Sequence, residues 1–150
     1  MEVVKKINWD YKKKIGEMTE EELKKRIVEA YEWEMPKINT LPFVAEEDGE
    51  LDEIYYYQTN ELIARCPETG IPDYYNIEIN IKPDKLIPEL KSLKFYFLSY
   101  IDHPISHEHL ARKIFKDIWD TIKPLWMHIH IDVNTRGGIN TSVDLEKGEL

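Results

Sequence analysis

Two stretches of strict apolar and polar alternation constrain this chain more than any other feature. Tyr75, Ile77, Ile79 and Ile81 alternate with Asn76, Glu78, Asn80 and Lys82, and Met127, Ile129, Ile131 and Val133 alternate with His128, His130 and Asp132. A period of two places successive side chains on opposite faces, so each stretch is expected to be a strand with one buried face. Ile54-Tyr55-Tyr56-Tyr57 and the residues up to Ala64 are rich in strand formers and supply a partner for the first stretch. The Pro- and Gly-punctuated segment from Cys66 to Asp73 is the turn between them, and Pro83 and Pro88 bracket the exit loop.

Helical spacing follows. Leu90, Leu93, Phe97, Tyr100 and Ile101 recur on one helical face until His103-Pro104 breaks the run. Ser106 is placed to cap a second helix with Leu110, Ile114, Ile118 and Ile122 inward, which Pro124 ends. After the second alternating stretch, Thr135-Arg136-Gly137-Gly138 reads as a turn and Ile139 to Val143 as a last strand. The order strand, strand, helix, helix, strand, strand predicts an α+β domain, a four-stranded antiparallel sheet with two helices on one face.

The 150 residues suffice for one self-supporting core. Residues 53–150 carry the strand and helix pattern, and residues 1–52 read as a helical extension with an acidic linker. In the extension, Thr19 and Glu22 form a capping box, Leu23, Ile27, Val28 and Tyr31 share one face, and Pro36 ends the helix. Glu46, Glu47, Asp48, Glu50, Asp52 and Glu53 around Gly49 read as a solvated loop. An open four-stranded sheet leaves two edges, and this tyrosine-rich one has few devices to blunt them, so neighbouring subunits are expected to cover them in a ring-forming oligomer.

A formal net charge of −9 opposes binding to a polyphosphate, so nucleic acid is not an expected partner. A small anionic ligand needs a local cationic patch, for which Lys91, Lys94 and the distant Arg136 are candidates. One cysteine cannot form an internal disulfide or supply a Cys-rich zinc site, and no signal peptide or membrane span is evident, so the cytoplasm is the expected compartment.

That cysteine opens the turn. Cys66 and Asp73 put a potential nucleophile and a potential acid at the two ends of one short loop, the parts of a covalent active site. Blander readings stand beside this one. A lone cysteine can be a small core residue, Lys91 and Lys94 a solvated helix face, and His107-Glu108-His109 a polar first helical turn.

Taken together, Cys66-Pro-Glu-Thr-Gly-Ile-Pro-Asp73, Glu89-Leu-Lys-Ser-Leu-Lys-Phe-Tyr96, His107-Glu108 and Arg136-Gly-Gly138 resemble the signature series of the NADPH-dependent nitrile reductases of the QueF type. These are the 7-cyano-7-deazaguanine reductases of queuosine biosynthesis, a tRNA modification, and they adopt the tunnelling fold. The resemblance spans about residues 53 to 143, and the first 50 residues carry none of it. Thr135 stands where the family often has proline, and Leu90 and Phe95 vary within the lysine stretch.

The resemblance implies that Cys66 adds to the nitrile carbon to give a thioimide and that Asp73 is the proton donor. It implies that Glu89 and Glu108 recognise the purine, within a substrate-binding set of Pro88, Glu89, Leu90, His107 and Glu108. Lys91, Lys94 and Arg136 would hold the phosphates of NADPH. A Gly-x-Gly-x-x-Gly after a strand is absent, so a Rossmann site is not the expected mode of cofactor binding.

Rival readings within the same fold are less economical. A zinc hydrolase needs three well-placed ligands, whereas His128 and His130 are expected to be solvated on the polar face of their strand. An amidinotransferase acting on the same nitrile in tRNA needs Cys66 and Asp73 but has no use for the three basic residues. A purine- or pterin-binding module needs no nucleophile. No metal site is expected.

Overall fold

The computed structural model describes residues 9–45 and 51–150. Among them the elements run α1 (Glu20–Glu32), β1 (Thr40–Pro42), β2 (Tyr55–Arg65), β3 (Pro72–Lys82), β4 (Leu86–Pro88), α2 (Leu90–Leu98), α3 (His107–Ile122), β5 (Trp126–Arg136) and β6 (Ile139–Gly148). Single 3-10 turns occupy Ile15–Glu17 and Ser99–Asp102.

The alternating stretches become the two central strands of a four-stranded antiparallel sheet ordered β2-β3-β5-β6. The register sets Ile77 opposite Ile131, Ile79 opposite Ile129 and Ile81 opposite Met127. All six side chains are buried on one face beneath α2 and α3. Leu110, Ile114, Ile118 and Ile122 of α3 are buried against that face as their four-residue spacing requires. Each such side chain contributes about 1.5–3 kcal/mol on burial, which makes this layer the main source of stability.

Four expectations need correction. Leu90 and Ile101 are exposed rather than inward: Leu90 is the first residue of α2, and the chain tightens to a 3-10 turn after Leu98, so Ile101 leaves the 3.6-residue register of Leu93 and Phe97. Val28 is also exposed, because the buried line on α1 runs to Ala30. The last strand continues past Val143 to Gly148, paired in register with β5 down to Trp126. Ser106 stands at the N-cap of α3, but its hydroxyl meets His109 Nδ1 at 2.5 Å instead of a backbone N–H.

The N-terminal segment is tied into the core. Thr19 caps α1 by accepting from the Glu22 N–H, as the capping box requires. Ala30 and Ile38 join the buried cluster, and β1 pairs with β4 to form a two-stranded ribbon. A buried polar chain adds specificity. Lys113 Nζ donates to the Tyr31 carbonyl at 2.9 Å and lies 3.3 Å from Asp117, which accepts from Tyr96 Oη at 2.6 Å, and Tyr96 meets Tyr100 at 2.8 Å. Burial first, then the neighbouring hydroxyl and carboxylate, hold the Tyr96 phenol neutral. The acidic run expected as a loop lies mostly in residues 46–50, outside the described residues.

Candidate active site

β2 ends at Arg65 and β3 begins at Pro72, and the loop between them closes on itself. The Cys66 N–H donates to the Ile71 carbonyl at 2.9 Å, and the Gly70 N–H donates to the Cys66 carbonyl at 2.8 Å. The return requires φ of +74° at Gly70, a conformation that glycine adopts without a Cβ penalty. The Cys66 thiol is free and half-buried at the head of the loop. Asp73 follows the inward alternation of β3 with Tyr75, so its carboxyl is drawn below the surface, 5% exposed.

Other groups gather on this end of the sheet. Arg136 Nε lies 3.4 Å from Asp73 Oδ1, and the same guanidinium donates to the Pro72 carbonyl. Tyr75 Oη meets His107 Nδ1 at 2.7 Å, with the two rings edge to face. Burial drives the Tyr75 phenol far above its ordinary value, with Asp73, Cys66 and Glu108 adding to the effect and Arg136 opposing it. Tyr75 is therefore a neutral hydroxyl surrounded by the groups singled out from the sequence. The structure brings Cys66, Asp73, His107, Glu108 and Arg136 together.

Glu89, Lys91 and Lys94 lie elsewhere in the same chain. Glu89 is the N-cap of α2, its two carboxylate oxygens accepting the N–H groups of Lys91 and Ser92 at 2.8 Å each. Those bonds lower its pKa, as donors to a carboxylate do. The nine residues of α2 rise about 13 Å. The far end of α2 leads into the 3-10 turn whose Ile101 carbonyl accepts from Arg65 Nε at 3.0 Å, next to Cys66. Glu89 is thus at the end of α2 away from the turn that meets Arg65. Pro88 is buried where β4 ends, and Leu90 is exposed beside it.

Comparison with known proteins decides what this arrangement belongs to. The family model described as QueF-like protein matches residues 72–150. The NADPH-dependent 7-cyano-7-deazaguanine reductase of Thermoanaerobacter pseudethanolicus is 36% identical over 123 residues, covering 82% of this chain and 83% of the relative. The chain belongs to the QueF-like family. The similarly named protein of Thermomicrobium roseum is 44% identical over 85 residues, 57% of this chain and 66% of the relative. A solved structure, the archaeosine synthase QueF-Like in the apo form, superposes with a TM-score of 0.60 at 18% identity over 65% of this chain and 95% of that one, and establishes the shared fold.

The residues present can be tested against the cofactor that the QueF-like relatives' name specifies. A cleft of about 420 Å3 opens between β2 and α2, walled by Tyr56, Tyr57, Leu93 and Phe97, with Lys94 on its rim and Leu90 at its mouth. Lys91 is exposed one turn earlier. Two cations beside an aromatic wall fit a phosphate-bearing nucleotide. Arg136, partly exposed, lies beside Asp73 within the same chain. Tyr75 and Arg65 are site residues that sequence reasoning missed. Both sit in ordinary strand pattern, and nothing in their spacing distinguishes them.

His128 and His130 are less solvated than expected. His128 Nε2 and His130 Nδ1 both meet Asp144 Oδ1, at 2.8 and 2.9 Å, because β6 lies antiparallel beside β5 and sets Asp144 opposite His130. The bond to Asp144 raises the pKa of His130. Among the described residues no group of three or more His, Cys, Asp and Glu side chains is arranged to hold a metal ion.

Proposed function

We propose that this chain reduces the nitrile of 7-cyano-7-deazaguanine to the aminomethyl group in an NADPH-dependent reaction of queuosine biosynthesis, by covalent catalysis at Cys66. The observation that carries the reading is a free, accessible thiol at one end of a closed turn with a buried carboxyl at the other.

The Cys66 sulfur forms a bond to the nitrile carbon as its S–H bond breaks, and that proton passes by way of the Asp73 carboxyl to the nitrile nitrogen, giving a thioimide. Without that proton, attack would place a full negative charge on nitrogen, and a positioned acid is worth roughly 10²–10⁴-fold in such a step. When bound, NADPH supplies hydride, and the four-electron change from nitrile to amine consumes two equivalents. After the first reduction the carbon–sulfur bond breaks, which returns Cys66 as thiol and leaves an imine for the second. Lys91 and Lys94 hold the cofactor phosphates, and Arg136 joins that set from the β5–β6 turn.

Glu108, next to His107, accepts the paired N–H groups of the guanine-like edge. Glu89 does so from the other side, since each capping oxygen retains a lone pair. In one chain Glu89 caps the end of α2 away from the turn that meets Arg65, which supports a pocket assembled from two subunits. The open edges β2 and β6 are where a ring would join. No nucleic acid is needed as a direct partner. No helix among the described residues is long and apolar enough to cross a membrane, and a nucleophile that must stay reduced favours the cytoplasm as the compartment of the reaction. The catalytic residues all fall within 53–150, and residues 1–52 serve that domain.

The test is NADPH oxidation by purified protein with and without the nitrile. About two NADPH per nitrile lost, as two-hydride chemistry requires, is the expected result. A Cys66→Ala protein that still gains the mass of one nitrile would overturn the covalent role.

A further inference from the structure

The segment Trp9–Glu17 lies upstream of the residues matched by the family model, yet it grips the nucleophile turn at three residues, Pro67, Glu68 and Gly70. Trp9 Nε1 donates to the Pro67 carbonyl at 2.9 Å. Lys14 Nζ donates to the Glu68 carbonyl at 3.0 Å, and the Ile15 N–H donates to Glu68 Oε2 at 2.8 Å. The Tyr11 ring lies flat enough on Gly70 that a Cβ there would sit 3.2 Å from its Cε1 and Cζ. Burial raises the pKa of the Tyr11 phenol, Arg65 opposing the rise and Cys66 and Asp102 adding to it.

The grip is itself anchored to the body of the protein. Arg26 of α1 stacks over the Trp9 ring at 4.1 Å, and Lys13 pairs with Glu22 in the first turn of the same helix. Beneath the segment an almost wholly apolar cavity of about 210 Å3 lies between Trp9, Ile15, Leu23, Ile27, Pro67 and Ile105. The segment is thus held by a few directed contacts rather than by dense packing, and losing one is not absorbed by its neighbours.

We propose that Trp9 and Tyr11 are positioning residues for Cys66, and that the segment Trp9–Glu17 fixes the geometry from which the thiol attacks. The turn makes two backbone hydrogen bonds across its own base, and its outward carbonyls at Pro67 and Glu68 are the ones the segment takes up. Because each peptide is planar, holding those carbonyls orients the whole Pro67–Thr69 backbone. Rates of attack depend on placement at the ångström scale, so a loosened turn costs rate without changing the chemistry. The proposal rests on Cys66 being the nucleophile.

The test uses the full chain with Trp9→Phe, which keeps the ring under Arg26 but removes the N–H, and with Tyr11→Ala and Tyr11→Phe. Three quantities are read below the melting temperature: the rate of Cys66 alkylation by iodoacetamide, the rate of nitrile adduct formation without NADPH, and the KM for NADPH. Loss of one net hydrogen bond in Trp9→Phe should slow adduct formation roughly two- to tenfold. Alkylation should speed up as the turn is uncovered, and the NADPH KM should hold. Tyr11→Phe should restore most of what Tyr11→Ala loses. Alkylation and adduct rates at parental values in Trp9→Phe and Tyr11→Ala, even with a lowered melting temperature, would overturn the proposal. Should Tyr11→Ala fail to fold, Trp9→Phe decides alone. Parental protein that forms no adduct, while alkylation still responds to both variants, keeps the positioning role and rejects the nitrile reading.

Discussion

Arg136 Nε stands 3.4 Å from Asp73 Oδ1, in the same chain and at the same end of the sheet as Cys66. A residue assigned to a cofactor phosphate thus also touches the group assigned to proton transfer. Arg136→Ala is expected to slow nitrile adduct formation measured in the absence of NADPH. Because the guanidinium is partly exposed, the effect belongs near the low end of a charged hydrogen bond, roughly three- to tenfold. Intact mass against time reads it. An adduct rate equal to the parent's would confine Arg136 to the phosphate.

Lys91 and Lys94 make the complementary case. Neither is tied to the Cys66 end, and Lys94 lines the cleft between β2 and α2. Removing both charges by Lys91→Ala and Lys94→Ala is expected to raise the KM for NADPH about tenfold or more, the worth of a charged hydrogen bond to phosphate, with a much smaller change in the KM for the nitrile. Equal rises in the two constants would mean that the lysines act on the pocket as a whole.

Tyr75 and His107 form the third relationship. Tyr75 Oη, kept protonated by burial, is expected to donate to His107 Nδ1, with the ring N–H on Nε2. Nitrogen-15 NMR of His107 should show an unprotonated Nδ1 in the parent near neutral pH. Tyr75→Phe should let that tautomer relax and cost about 1 kcal/mol of stability, the usual net value of one such bond. An Nδ1–H resonance in the parent would reverse the direction of the bond.

What the sequence discloses here follows from period. Alternation at 75–81 and 127–133 names the buried face of β3 and β5, and four-residue spacing from Leu110 to Ile122 names that of α3. The Cys66–Asp73 turn is legible because proline and glycine punctuate it. Alternation does not disclose register, since a slip of two keeps every side chain on its face. Yet register is what makes the site. With Tyr75 opposite Val133, continuing the antiparallel count brings Arg136 level with Pro72, and hence beside Asp73. The β1–β4 ribbon was hidden for another reason. Its strands are three residues long and contain Pro42 and Pro88, which weaken any strand pattern. Trp9 and Tyr11 sit in a stretch with no period at all, and only the fold connects them to Pro67 and Gly70.

The last expectation concerns His103, at the start of the segment that backs Arg65. Its ring lies between Trp33, stacked at 4.2 Å, and Tyr100 at 5.3 Å, and among the described residues neither ring nitrogen makes a full hydrogen bond, the Ala30 backbone offering only a marginal one. Burial is the main reason that its pKa falls to about 3, with Lys113 adding in the same direction and the nearby Ala30 backbone opposing. The unfolded chain binds this proton near the ordinary histidine value, so unfolding takes up a proton between that value and about 3. The stability linked to His103 is therefore present above pH 6.5 and is lost as the pH falls towards 3. Over the middle of that window the loss approaches about 1.4 kcal/mol per pH unit. His103→Phe keeps a flat ring between Trp33 and Tyr100 and removes the titrating group, so its urea-unfolding free energy should fall less steeply with acid than the parent's. Paired denaturation series at pH 7, 6 and 5 measure the difference, and parallel lines would mean that His103 is protonated in the folded protein.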